Sequence, residues 1–213
     1  MDVQTVLAVS SFATVTSITP GPNNMMLLAS GVNHGLRATV PHILGISVGF
    51  FVLLVAAGLG AGALLAQWPQ LHQGLKALGV GYMVWLAWKL WHAESSAVPA
   101  IPVSATVPVT GTLPQVASRP MSFWGAAAFQ WVNPKAWMMA LGAVAGFIGP
   151  HGGVWAVLVL GALCAAVNLP CVSLWAFGGA KLSGWLAQDS RRRRFNAVMA
   201  LLLLASIWPM LNA

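Results

Sequence analysis

The sequence predicts an all-α integral membrane protein: six transmembrane helices as two inverted three-helix repeats, helices 1 and 4 broken mid-membrane. Three observations predict it. Charge is scarce: Asp, Glu, Lys and Arg make up 6% of the 213 residues, against roughly 25% in a soluble domain. Apolar runs near the length that crosses a bilayer occur six times. Two of those runs carry proline breaks, and each of the two opens one half of the chain. With 58% hydrophobic residues and 22 glycines besides, too few charges remain to coat a soluble surface. This excludes a soluble enzyme, a nucleic-acid-binding domain and a disordered chain. The net charge of +7 is what basic loops give a lipid-embedded protein, so the bilayer is the expected partner and nucleic acid is not.

The six segments are Val3–Val32 (interrupted), Val40–Ala66, Leu71–Trp91, Phe123–Ile148 (interrupted), Val154–Leu182 and Phe195–Leu211. The connections Gln67–Gln70 and Gly149–Gly153 are short, with Pro or Gly turn chemistry. The connection Ala93–Pro120 is long. It holds Pro99, Pro102, Pro108, Pro114 and Pro120 among Ser, Thr, Ala and Val, and reads as a flexible, partly polyproline-II linker. The expected organisation is a first repeat over 1–92, a cytoplasmic linker over 93–120 and a second repeat over 121–213. An odd number of spans per half turns the second half upside down relative to the first, as in the inverted repeats of secondary transporters.

Orientation is read from Lys and Arg. Connections after segments 1, 3 and 5 hold Arg37, then Lys89 and Arg119, then Lys181 and Arg191–Arg194; the opposite side holds Lys76. The odd-numbered connections are therefore expected in the cytoplasm and both termini outside. Met1-Asp2 has no basic n-region, so segment 1 is not read as a cleaved signal peptide. The Arg191–Arg194 run reads as a topology anchor touching anionic lipid. Trp85, Trp88 and Trp91 read as an interfacial belt.

The breaks carry the chemistry. The first is Thr19-Pro20-Gly21-Pro22-Asn23-Asn24. Pro20 and Pro22 remove the donors for the Thr16 and Ile18 carbonyls, while Pro22 suits the first position of a new helix. The amides of Asn23, Asn24 and Met25 then point toward the break. Such groups survive at membrane depth only against protein or a water-filled cavity. Carbonyls for a cation and a helix N-terminus for an anion, a few Å apart, match the two charges of an α-amino acid; a plain kink is the alternative. The second break is Asn133-Pro134-Lys135. Lys135 stands about 18 Å from either end of segment 4 by helix rise, beyond what snorkelling recovers. Asp2, Glu94 and Asp189 all lie in loops or at a terminus, so Lys135 must be neutral or face a cavity holding water or an anion. Alternatively a helix starts near Asn133 and puts Lys135 at an interface. Gln130 and Asn133 add hydrogen-bonding capacity beside it.

Other signals are weaker. Asn168-Leu169-Pro170 lines the pathway or is a kink capped by its own Asn. Tyr82 reads as packing, or as a pathway group. His42 titrates near neutrality in principle, and an interfacial histidine is the blander reading. Cys164 and Cys171 share a helix face about 10 Å apart along the axis, too far for a disulfide. They read as small packing residues, and nothing calls for a metal or cofactor. Gly45-xxx-Gly49 and Gly58-xxx-Gly62 permit close helix contacts, either within one chain or in a homodimer.

These residues resemble a known family. Thr19-Pro20-Gly21-Pro22-Asn23, followed by the stretch from Gly31 to Arg37 and by Gly45 to Gly49, is similar to the opening signature of the LysE/RhtB amino-acid exporters. Gly81-Tyr82 and Asn133-Pro134-Lys135 fall where that family has similar motifs. The first break, the stretch Gly81 to Lys89 and Ser122 to Gly125 look most similar to its cysteine/O-acetylserine branch. The resemblance covers both halves and not the linker. It implies export of small amino acids or derivatives, cysteine/O-acetylserine-like or threonine/homoserine, across a bacterial inner membrane, driven by protons. The substrate contacts expected from the breaks and the other intramembrane polar residues are Thr16, Thr19, Pro20, Gly21, Pro22, Asn23, Asn24, Tyr82, Gln130, Asn133, Pro134, Lys135 and Asn168. Proton antiport usually uses an intramembrane carboxylate, and the spans have none. Lys135, His42 or the substrate's own charge would substitute. A passive amino-acid channel and, more remotely, a membrane-embedded enzyme are the other classes in play.

Overall fold

A computed structural model describes residues 1–61, 67–92, 120–148, 153–205 and 207–208, with the side chains of residues 69, 71, 72, 75 and 76 left aside, and most of these residues are helical. The elements are α1 (Val3–Ile18), α2 (Pro22–Ala56, running into a π turn over Ala57–Ala61), α3 (Pro69–Trp91), α4 (Phe123–Phe129), α5 (Pro134–Phe147), α6 (Val154–Leu182) and α7 (Asp189–Ala205). A 3₁₀ turn, Gln130–Val132, joins α4 to α5, and another, Trp185–Ala187, precedes α7. No strand occurs among the described residues. The linker expected over 93–120, apart from Pro120, and most of the Gly149–Gly153 turn lie outside them, as does Gly62.

Local chemistry starts each helix. Asp2 caps α1, its carboxylate accepting from the Thr5 amide at 2.7 Å; that bond holds the Asp2 carboxyl below the usual carboxylate range. Pro22 and Pro134 stand at the first turns of α2 and α5, where the missing N–H costs nothing. Ser122 caps α4 through the Gly125 amide at 3.1 Å. The last helix starts at Asp189, six residues before the expected Phe195, and takes in the four arginines, because the Gln188 carbonyl accepts the Arg191 and Arg192 amides.

The long α2 is two arms. Gly35 has φ 76° and ψ 167°, a region essentially reserved for glycine. Nine residues of continuous helix rise about 13.5 Å, yet the Ser30 and Thr39 hydroxyls are 2.8 Å apart. The chain therefore folds back at Gly35, and the expected connection between segments 1 and 2 is this tight turn. Gly35→Ala is expected to cost about 1–3 kcal/mol. Thermal unfolding in detergent measures it, and an unchanged midpoint would mean the turn relaxes without strain.

Three buried clusters hold the helices together. One joins α1, the second arm of α2, α5 and α6 through Val9, Phe50, Leu53, Met139 and Leu160. Another joins the first arm of α2 with α3, α4 and α7 through Met26, Met83, Phe129 and Leu203. The third joins both arms of α2 with α4 and α6 through Leu27, Ile43, Ala126 and Val172. Helix α1 packs on α6, α4 packs on α2, α2 and α6 pack on each other, and α3 packs on α7.

Backbones touch where glycines allow it. A Cβ on Gly31 would overlap the Ala176 carbonyl, and one on Gly179 would overlap that of Leu28. Gly45 and Gly49 receive Phe123 and Ala127 of α4, so that small-residue pair serves a contact within the chain. Cys164 and Cys171 are buried and free.

The outer face is apolar: Leu7, Val15, Val48, Val52, Leu174 and Phe177 are all exposed. Among the described residues, Pro22–Ala61, which folds back at Gly35, and Val154–Leu182 are the helical stretches long and apolar enough to cross a membrane. The breaks divide segments 1 and 4 into pieces each shorter than a span.

Candidate functional site

Helix α1 ends at the first break, and its last carbonyls need donors. Side chains supply them. The Thr19 hydroxyl donates to the Thr16 carbonyl at 3.0 Å. Asn24 Nδ2 donates to the Ser17 and Thr19 carbonyls, both at 2.8 Å. Trp175 Nε1, from α6, donates to the Ile18 carbonyl at 3.2 Å. Lys135 Nζ donates to the Thr19 carbonyl at 2.7 Å and the Pro20 carbonyl at 3.3 Å. The Thr16 and Ile18 carbonyls, which the prolines were expected to free, are thus met by Thr19 and Trp175.

On the far side of the break α2 begins. The Met25 amide bonds the Gly21 carbonyl at 3.0 Å. The Asn23 and Asn24 amides sit in the first turn, where helix geometry provides no intrahelical acceptor.

The second break lies against the first. Asn133 caps α5, its side-chain oxygen accepting from the Lys135 amide at 3.1 Å. This puts Lys135 in the first turn of a new helix. Its stem passes over Gly21, where a Cβ would lie 2.7 Å from Lys135 Cδ. Asn23 and Gln130 make a reciprocal amide pair, Nδ2 to Oε1 at 2.9 Å and Nε2 to Oδ1 at 3.4 Å. Gln130 also donates to the Ala126 carbonyl at 2.8 Å. Two contacts therefore join breaks more than a hundred residues apart in sequence: a cation on carbonyls and an amide on an amide.

A third polar element comes from α6. Asn168 Nδ2 donates to Ser17 Oγ at 3.0 Å, and Ser47 Oγ, from the second arm of α2, donates to Asn168 Oδ1 at 3.4 Å. Asn168 reaches across to other helices rather than capping its own kink, and α6 continues unbroken through Pro170.

These groups surround a partly open cavity of about 20 Å³, room for about one water molecule. Thr16, Gly21, Asn23, Asn24, Gln130, Asn133, Lys135 and Asn168 line it, joined by Ser17, Ile46, Phe50, Ala136, Met139 and Val172. The arrangement offers amide donors, carbonyl acceptors and one ammonium in a pocket with apolar walls, a combination that fits a small zwitterion.

The family described as LysE type translocator matches residues 14–205. The chain belongs to this family. It is 32% identical over 199 residues to the cysteine/O-acetylserine efflux protein of Escherichia coli O139:H28 (strain E24377A / ETEC), covering 91% of each chain. It is 32% identical over 198 residues to the proteins of that name from Escherichia coli (strain K12) and Shigella flexneri serotype 5b (strain 8401), covering 91% of this chain and 90% of theirs. No solved structure matches. The LysE-type translocators are membrane proteins, which accounts for the apolar outer face.

Other residues singled out from the sequence stand elsewhere in this LysE-family chain. Thr19 and Pro20 form the exposed rim of the first break, and Pro22 and Pro134 start the helices that flank the cavity without lining it. Tyr82 packs on Phe129 and Trp85, with ring centroids 5.2 and 5.4 Å away, outside the cavity. His42 is 1% exposed, and neither ring nitrogen has a hydrogen-bond partner. It lies one turn from Ile46, which lines the cavity.

Sequence reasoning left Ser17, Ser47 and Trp175 out of the site. Ser17 adjoins the first break and Ser47 sits between Gly45 and Gly49, so position was their signal. Trp175 gave none.

Proposed function

We propose that this LysE-family protein is a secondary-active exporter of small amino acids or derivatives from a bacterial cytoplasm. The observation that carries the reading is the meeting of the two helix breaks at a polar cavity, bridged by Lys135 and by the Asn23–Gln130 pair. The relatives' names favour cysteine and O-acetylserine as substrates; threonine and homoserine share the chemistry. The Asn23 and Asn24 amides with Lys135 take the substrate carboxylate, while Gln130, Asn133 and Asn168 supply polar partners around the rest.

The mechanism is rocking of two inverted repeats, 1–92 and 121–213, about this cavity. The packing supports it, because contacts pair under exchange of the halves. Helix α1 leans on α6 as α4 leans on α2, while α2 meets α6 and α3 meets α7. A cavity with room for one water must open to admit an amino acid, and two short bridges are what such a motion would break. The inner membrane, with both termini outside, is the proposed setting. Lys89 over Trp85, Lys181 over Phe177 and Arg191 over Trp185 place cation–aromatic pairs where a cytoplasmic interface is expected. Lys135 and His42 are the proposed groups for proton coupling.

Purified protein in liposomes tests this. Counterflow of labelled cysteine or O-acetylserine, accelerated by an imposed proton gradient, is expected. Asn23→Ala should weaken it about tenfold, the lower end of what a hydrogen bond to a charged group is worth. Flux without counterflow would make the protein a channel, and turnover of a lipid without flux would make it an enzyme.

A further inference from the structure

We propose that the elbow formed by Thr19 and Pro20 is a binding site for a primary ammonium group, filled by Lys135 when no substrate is bound and by the substrate's α-ammonium during transport. The second half of this statement rests on the export reading above; the first does not.

The Lys135 ammonium has three N–H donors, and the elbow offers three acceptors. These are the Thr19 carbonyl at 2.7 Å, Thr19 Oγ1 at 2.9 Å and the Pro20 carbonyl at 3.3 Å. Among the described residues, no carboxylate is a partner of Lys135. The hydroxyl is set as an acceptor, because its own proton goes to the Thr16 carbonyl at 3.0 Å. The elbow also closes the C-terminal end of α1, where the helix dipole is negative. The distances are those of N–H···O bonds. A cradle that saturates one R–NH₃⁺ has the geometry for another.

The lysine reaches it from the opposite break by passing over Gly21. Lys135 lines the cavity, and its head bonds Thr19 and Pro20, which are exposed at the rim. A carboxylate entering the cavity gives the head a stronger partner than neutral carbonyls. Turning inward, Lys135 vacates the elbow, and the ammonium of the same zwitterion can take it. The elbow's carbonyls keep a cation in both states, so neither state leaves them bare at membrane depth. Substrates must then carry both charges: the carboxylate to draw the lysine and the ammonium to replace it.

The test is chemical rescue followed by isomer selection. Lys135→Ala removes the atoms of propylammonium, and Lys135→Met keeps most of the stem and removes the ammonium. In detergent both variants are expected to unfold about 5 °C below wild type. Propylammonium should restore most of that loss in Lys135→Ala, and ammonium ion in Lys135→Met. Neither should stabilise wild type, where the elbow is full. Tetramethylammonium, which donates no hydrogen bond, should do nothing, and sodium and potassium at equal strength, which lack the directed N–H bonds that the elbow's three acceptors are spaced for, should rescue far less. Absence of rescue in both variants, or equal rescue by potassium, overturns the ammonium site whatever the protein transports. For the substrate half, O-acetylserine should raise the unfolding midpoint of wild type, whereas its isomer N-acetylserine, which has no ammonium, should not. Equal stabilisation by the two isomers overturns that half and leaves the site for Lys135 standing.

Discussion

Lys135→Met, inserted and folded, is expected to lose amino-acid counterflow, with the half-saturating concentration raised about 30-fold or more. The substitution keeps the length of the stem over Gly21 and removes the one ammonium at the cavity. A hydrogen bond to a charged group is worth about 2 kcal/mol or slightly more, which is roughly 30-fold in affinity. A further loss in maximal rate follows if closure of the empty carrier depends on the head returning to the Thr19 and Pro20 carbonyls. Initial rates of exchange in liposomes, over a range of internal substrate, separate the two effects. Wild-type exchange by the variant would remove Lys135 from the site.

Much of this site was legible in the sequence because membrane depth makes polar residues expensive. Of thirteen charged residues in 213, Lys135 alone stands at the middle of a broken apolar segment, and prolines marked both places where backbone groups lose their partners. Eight of the residues lining the cavity, from Thr16 to Asn168, were legible in this way. Which donor meets which carbonyl was not legible. The Thr16 and Ile18 carbonyls looked free because proline removes the backbone donor, but the donors that meet them are a neighbouring hydroxyl and the Trp175 indole. The indole's arrival depends on how α6 crosses α1, which no local pattern encodes. Ile46, Phe50, Met139 and Val172 were invisible for a different reason: an apolar residue facing a cavity and one facing lipid look alike in an apolar segment. Segment ends suffered at Gly35, where a turn of one residue with positive φ replaces a connection several residues long.

The crossing of α2 and α6 is where the site is most sensitive to a change outside it. Gly178 and Gly179 are neighbours in α6, and their replacement by alanine is expected to have opposite consequences. A Cβ on Gly179 would overlap the Leu28 carbonyl, backbone that has no rotamer to give. One on Gly178 would lie 3.9 Å from Leu28 Cδ1, an ordinary contact. Gly178→Ala should therefore be neutral or stabilising by up to about 1 kcal/mol, the helix-propensity difference. Gly179→Ala should cost about 3 kcal/mol, because the helices must separate along a crossing that depends on close backbone approach. Gly31 makes the reciprocal contact with Ala176, so Gly31→Ala should behave like Gly179→Ala. Unfolding midpoints of the three variants in detergent measure this, and similar shifts for Gly178 and Gly179 would show that α2 and α6 do not cross as described. The consequence for transport is positional. The first arm of α2 carries Asn23 and Asn24, and α6 carries Asn168, so helices held apart at Gly179 move the amides that line the cavity away from the asparagine opposite them. A residual folded fraction of Gly179→Ala should then exchange substrate with weakened affinity, although the alanine touches nothing in the cavity.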